Sequence, residues 1–241
     1  MALEIELLPI LSDNYCYVLR DPSSGAIAVV DPGTASPVAE RLDQLGGRLD
    51  WILVTHHHAD HTGGNLEIKQ RFGCRIAGPA AEADKVPGLD QPLSEGDKFD
   101  LGDETATIIA TPGHTRGHIS YHFPGSHVLF CGDTLFALGC GRLFEGDPPM
   151  MWKSLQKLMA LDDATRVYCG HEYTASNARF ALSVDGGNAD LEARAAEIEA
   201  LRARGEPTIP STIGLERATN PFVRAADAKE FGELRALKDR A

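Results

Sequence analysis

The stretch Thr55-His56-His57-His58-Ala59-Asp60-His61 decides how this chain reads. Four of its side chains, His56, His58, Asp60 and His61, are of the types that hold divalent metals. The apolar run Trp51-Ile52-Leu53-Val54 precedes it, and Gly63-Gly64 follow before a helix-like segment. The stretch therefore reads as a strand that ends in a tight loop and opens a helix. Alternate residues of an extended segment face the same way. His56 and His58 can grip one ion while His57 points elsewhere. Asp60 and His61 lie past the turn and are better placed for a second ion.

All nine histidines lie between His56 and His171. Three further ligand-type residues repeat one local form, a β-like run, then a small residue, then the ligand. His114 follows Ile108-Ile109-Ala110 through Thr111-Pro112-Gly113. Asp133 follows Val128-Leu129-Phe130 through Cys131-Gly132. His171 follows Val167-Tyr168 through Cys169-Gly170. Ligands on successive strand ends of one sheet edge converge on one pocket, where open α/β sheets place their sites. A solvated polar turn would explain the first stretch alone but not this recurrence.

The 241 residues suit one large domain, or one domain with an appendage. With 43% hydrophobic and 24% charged residues, the composition is that of a globular protein. The formal net charge of −12 argues against a general nucleic-acid binder, which needs a basic face. Cys16, Cys74, Cys131, Cys140 and Cys169 show neither a disulfide framework nor a C-x-x-C pair, so buried free thiols are expected. The first residues carry early acids and no basic n-region, and no apolar run approaches membrane-span length. A monomer in a reducing cytoplasm, away from membranes, is the expectation.

The first two-thirds alternates strand and helix signals. Strands are expected over Ile5–Ile10, Tyr15–Leu19, Ala26–Val30, Trp51–Val54, Arg75–Ala77, Thr105–Ala110, Ile119–Phe123, His127–Phe130 and Arg166–Cys169. A helix begins at Ser36-Pro37, with Ser36 as its cap and Val38, Leu42 and Leu45 as its apolar stripe. Another spans about Pro149–Leu161, with Trp152, Leu155 and Met159 on one face. After His171 the pattern turns helical. Helices are expected over Glu172–Val184, over a stretch capped by Asn188 and stopped at Gly205, and over Ala226–Asp239. Pro207 and Pro210 read as a linker. The domain boundary falls after residue 173, giving units 1–173 and 174–241.

The combined pattern T-H-x-H-x-D-H, T-P-G-H-T-x-G-H, G-D-T and G-H resembles the metallo-β-lactamase superfamily. The resemblance implies an α/β (α+β) fold, an αββα sandwich with metals at one edge, here extended by a C-terminal helical domain. Gly139-Cys140-Gly141-Arg142-Leu143-Phe144-Glu145-Gly146, Tyr168–Thr174, Asn220-Pro221-Phe222, Leu234–Asp239 and Leu11–Tyr15 look like the glyoxalase II (hydroxyacylglutathione hydrolase) family.

That resemblance implies a ligand set. His56, His58 and His114 would bind one metal, Asp60, His61 and His171 the other, and Asp133 would bridge. Two divalent ions per chain follow, zinc first, with iron or manganese as alternatives. Two metals about 4 Å apart can share a hydroxide at neutral pH. It would attack a thioester carbonyl, and a thiolate leaves without a dedicated acid. Asp133 is thus catalytic as the bridge. In that dinuclear reading Asp60 would be a ligand, and a general base only if the second metal were absent. The implied reaction is hydrolysis of S-D-lactoylglutathione to D-lactate and glutathione, the second step of methylglyoxal detoxification. The substrate's carboxylates need cations, and Arg142, Tyr173, Arg235 and Lys238 match the family's substrate contacts. Arg235 and Lys238 are three apart on one helix and face the same way. Phe144 stands where some members have tyrosine, which removes one polar contact. His118 is expected to support the ligands rather than bind metal. His57 should point away, and His122 and His127 should lie at the surface. Glu172 and Arg240 receive no role.

Rival readings predict other residues. Persulfide dioxygenases of this scaffold use one iron and lack the full second ligand set, which is intact here. Lactonases and β-lactamases generally lack the helical tail with its basic pair. The RNA-processing relatives would want a basic surface. A binding protein on a decayed scaffold should have lost ligands, and all seven stand.

Overall fold

The computed structural model describes residues 2–240. The chain runs β1 (Glu4–Ile10), β2 (Asn14–Arg20), β3 (Ile27–Val30), α1 (Ser36–Gln44), β4 (Trp51–Leu53), α2 (Ala59–Thr62), α3 (Asn65–Phe72), β5 (Arg75–Pro79) and β6 (Gln91–Leu93). These six strands form one sheet in sequence order, antiparallel from β1 to β3 and parallel from β3 to β6. There follow β7 (Lys98–Leu101), β8 (Glu104–Ala110), β9 (Ile119–Phe123), β10 (Val128–Gly132), the short hairpin β11 (Leu135–Phe136) and β12 (Gly139–Cys140), α4 (Pro148–Met159) and β13 (Arg166–Cys169). The last third holds α5 (Thr174–Val184), α6 (Ala189–Ala203), β14 (Ser211–Thr212), α7 (Ile213–Thr219), α8 (Pro221–Arg224) and α9 (Ala228–Lys238). The second sheet has the order β14-β13-β10-β9-β8-β7.

Side-chain alternation builds the layers. Tyr15, Tyr17 and Leu19 of β2 point into the core shared with Phe99, Tyr121, Phe123 and Phe130 of the second sheet. Cys16 and Val18, between them in sequence, point the other way and pack with Val38 and Leu42 of α1 and Ile68 of α3. On the far side, Met151, Leu155 and Leu158 of α4 are buried in the core, and α4 packs against α8 and α9. The result is the expected αββα sandwich carrying a C-terminal helical segment. All five cysteines are buried and unpaired. Among the described residues no helix is long and apolar enough to cross a membrane.

Several sequence expectations need correction. Ser36 is the first helical residue of α1 and Ala35 stands at the cap, with no side-chain cap bond; the Ser36 hydroxyl instead donates to Glu40 Oε1 at 2.9 Å. Leu45 leaves the apolar stripe, because the helix ends at Gln44 and turns it to solvent. The buried face of α4 is Met151, Leu155 and Leu158; Trp152 and Met159 sit at its margin. The Pro207–Pro210 segment is more than a linker. It leads into β14, which adds an antiparallel edge strand beside β13. Thr208 in it donates from N and Oγ1 to Glu172 Oε2 and Oε1 at 2.9 and 2.8 Å.

Candidate active site

Five of the seven ligand-type residues lie past a strand end, three of them in the repeated local form. His56 and His58 follow β4, His114 follows β8, Asp133 follows β10 and His171 follows β13. Asp60 and His61 lie on the one-turn helix α2, where the chain has already turned. Two triads result. His56, His58 and His114 bring one ring nitrogen each to one point, and Asp60, His61 and His171 converge on another. His58 Nδ1 lies 3.1 Å from His56 Nε2 and 3.0 Å from His114 Nε2. His61 Nε2 and His171 Nε2 are 3.3 Å apart. Asp133 spans both triads, with Oδ2 3.4 Å from His114 Nε2 and 3.3 Å from His171 Nε2, and Oδ1 3.5 Å from His61 Nε2.

The outer ring nitrogens are held from behind. His114 Nδ1 donates to Arg142 O at 2.9 Å, and a carbonyl can only accept, so Nε2 offers its lone pair inward. His171 Nδ1 lies 2.9 Å from Asp13 Oδ1, His61 Nδ1 lies 3.1 Å from Asp31 Oδ2, and His56 Nδ1 lies 3.1 Å from Thr55 Oγ1. Asp31 also accepts from Thr55 N and Oγ1. His118 is no ligand. Its Nε2 accepts from Asp133 N at 3.1 Å, and its ring stacks on His56 with centroids 4.9 Å apart.

The electrostatics fit divalent cations. Burial pushes the pKa of His56, His58 and His114 below the ordinary imidazole value, so they present neutral donors. Burial would do the same to His61, but Asp133, Asp31 and Asp60 outweigh it and pull it up to about 9. Burial alone would raise Asp133, yet His61, His171 and His114 hold it well below the usual carboxylate range. The cluster thus invites positive charge at its centre. Asp133 Oδ1 is buried without a hydrogen-bond partner. An orphaned carboxylate oxygen among lone pairs facing one another is what a cation satisfies. The nitrogen and oxygen donors suit a binuclear centre.

The triads open into a cleft of about 460 Å³. His58, Asp60, His114, Asp133 and His171 form its floor, and Phe136, Phe144, Tyr173, Arg142, Arg235 and Lys238 line its walls. Tyr173 stacks on His171 with centroids 4.7 Å apart and planes 4° apart. Phe144 lies against His58 and His114 and is otherwise solvent-facing. Arg142 is mostly exposed. Arg235 is only 6% exposed and already engaged. It donates from Nη1 to Cys140 O and from Nη2 to Asp239 Oδ1, both at 2.9 Å. Lys238 Nζ donates to Ser176 O at 3.1 Å. A larger groove of about 570 Å³ between α5 and α6 contains none of the seven ligand-type residues.

Sequence reasoning missed the acids behind the site. Asp13 and Asn14 lie in a segment singled out above, but only folding shows Asp13 behind His171 and Asn14 Nδ2 donating to Asp60 Oδ2 at 3.0 Å. Asp31 had a usable signal, since it follows the strand run Ile27–Val30 just as the ligands follow theirs. Glu172, given no role, accepts from the Tyr15 hydroxyl at 2.7 Å and from Thr208. As expected, His57 points away, and His127 is exposed; His122 is half-buried.

Residues 11–171 match the model of the metallo-β-lactamase superfamily, and residues 172–241 match that of the hydroxyacylglutathione hydrolase C-terminus. A hydroxyacylglutathione hydrolase of Mesorhizobium japonicum is 51% identical over 253 residues, covering 99% of each chain. Among solved structures, ETHE1 from Myxococcus xanthus superposes with a TM-score of 0.75 at 24% identity, covering 97% of this chain and 90% of that one. TTHA1623 in a di-iron-bound form gives 0.62 at 24% identity, covering 91% and 99%. These two share the fold. With both family models matched in succession and near full-length identity to a curated relative, this chain belongs to the hydroxyacylglutathione hydrolase family of the metallo-β-lactamase superfamily.

Proposed function

We propose that this chain is a metal-dependent thioester hydrolase that converts S-D-lactoylglutathione to D-lactate and glutathione, the second step of methylglyoxal detoxification. One observation carries the reading. The floor of ligand-type residues and the cationic side chains of α9 line the same cleft. A substrate that carries carboxylates at one end and a reactive thioester at the other suits such a cleft.

In this reading His56, His58 and His114 hold one ion, Asp60, His61 and His171 hold the other, and Asp133 serves both. When bound, such a pair supplies Lewis acidity and brings the pKa of a shared water toward neutrality. The chain's own residues do the rest. Asp13, Asp31 and Arg142 O fix the ring orientations of His171, His61 and His114. Arg142 and Lys238 take the substrate's carboxylates. Arg235 lines the same wall as a third cationic contact, its guanidinium held in place by Cys140 O. Tyr173 and Phe144 flank the acyl group, and Phe144 offers no hydroxyl. Asp60 acts as a ligand, held by Asn14. Zinc is the assigned metal on the imidazole and carboxylate donors; iron and manganese fit the same set. We place the enzyme in a reducing cytoplasm, on its unpaired buried thiols, and read it as a monomer. The units 1–173 and 174–241 follow from the change of pattern at the end of β13, supported by the family matches meeting at 171 and 172.

The test is hydrolysis by purified, metal-loaded protein. D-lactate and free glutathione thiol should appear in equal amounts as the thioester disappears. Oxygen uptake with glutathione persulfide, without thioester turnover, would overturn the reading.

A further inference from the structure

Glu82 is the most deeply buried carboxylate outside the ligand set that touches the loops carrying it. It ends the 3-10 turn Ala80–Glu82 that follows β5, and only 1% of it is exposed. Its Oε2 accepts from His57 N at 3.0 Å and lies 2.9 Å from His57 Nδ1. Its Oε1 accepts from Gly117 N at 2.9 Å. Among the described residues no lysine or arginine pairs with it. A buried carboxylate is costly unless hydrogen-bonded, and here two backbone N–H groups meet that need.

The placement of those two donors matters. His57 lies between His56 and His58, and Gly117 lies between His114 and His118. One carboxylate thus ties together the two loops that supply the whole first triad. The second triad is braced by Asp13, Asn14 and Asp31, of which Asp31 also holds Thr55 beside His56, but none of them touches Glu82. The approach of Glu82 to Gly117 is tight, since a Cβ at Gly117 would fall 2.4 Å from Glu82 Cγ.

We infer that Glu82 is a positioning residue for one metal of the pair, setting the spacing of His56 and His58 against His114 and leaving the other site alone. The inference rests on the binuclear reading above. Glu82→Gln keeps the shape but replaces one acceptor oxygen with a donor, so one loop loses its anchor. Zinc-loaded wild type and Glu82→Gln would be titrated with a chelator while each released zinc equivalent is followed with an indicator dye. The expected result is one equivalent released at about tenfold lower chelator concentration, the scale of supporting-residue losses. The other equivalent should be unchanged. Both equivalents shifting together, or neither shifting, would overturn it. Gly117→Ala displaces the same carboxylate from the opposite side and should give the same selective release; it carries the test should Glu82→Gln not fold. A wild type holding fewer than two zinc ions would overturn the binuclear reading, and this inference with it.

Discussion

At the scale of single residues, charge placement governs the site. Asp133 reaches the inward Nε2 atoms of both triads, His114 in one and His61 and His171 in the other. Asp133→Asn keeps its size and removes the charge that offsets two cations. Turnover should fall by at least about 100-fold, with metal content per chain falling alongside. A variant that keeps both metals and most of its rate would refute the bridging role. Lys238 is the pH-sensitive member of the wall. Burial lowers its pKa below the ordinary lysine value, and Arg235, Arg179 and Arg142 lower it further. A substrate carboxylate needs the charged form. KM should therefore rise as pH climbs through that lowered pKa, before a normal lysine would titrate, with kcat less affected. Lys238→Arg should move the rise to higher pH. The linkage to stability has the opposite sign. Between the lowered and ordinary values the unfolded chain binds more protons than the folded one at this group, so its contribution to stability rises with pH. A KM that stays flat across the alkaline range would exclude Lys238 from binding.

At the scale of elements, the strand ends do the positioning, and the residues that let them approach are small. A Cβ at Gly170, just before His171, would lie 2.5 Å from Asp133 Oδ1 and 2.7 Å from His61 Cε1. Gly170→Ala should lower metal content and activity while far-UV circular dichroism stays native; unchanged metal binding would show that the site yields easily. The elements legible in sequence were those with a local cause. Asn188 caps α6 by accepting from Leu191 N, as its position predicts. The strands leading to the ligands announced themselves as apolar runs. β7 was legible but passed over, since Phe99 and Leu101 are buried while Lys98 and Asp100 alternate outward. β6, β11, β12 and β14 are two or three residues long, too short for any periodicity. Only their pairing partners define them.

At the scale of the whole molecule, buried acids join the helical tail to the sandwich. Glu216 of α7 is fully buried. It accepts from Arg194 of α6, from Leu138 N and Asn220 Nδ2 at 2.9 Å each, and from Ser211. Glu216→Ala leaves the Arg194 guanidinium, itself almost buried, without its counter-charge. Removing one partner of such a pair costs about 3–5 kcal/mol, which denaturant unfolding should register. A loss under about 1 kcal/mol, the range of exposed pairs, would mean that water reaches the pair. These long-range contacts also mark where sequence reading stops. The seven ligands sit in short motifs with a local shape. The acids behind them do not, because Asp13 meets His171 across 158 positions and Asp31 meets His61 across 30. The first pair exists only once the two sheets have closed, and the second only once β3 and β4 have paired. The measurement that tests the account most directly is metal content and thioester hydrolysis on one sample of the purified chain. Metal would be removed stepwise and Asp133→Ala run in parallel. Close to two divalent ions per chain are expected, with turnover of S-D-lactoylglutathione that falls as they are removed and none in the variant. Full metal loading without thioester hydrolysis, or hydrolysis that survives complete metal removal, would contradict it.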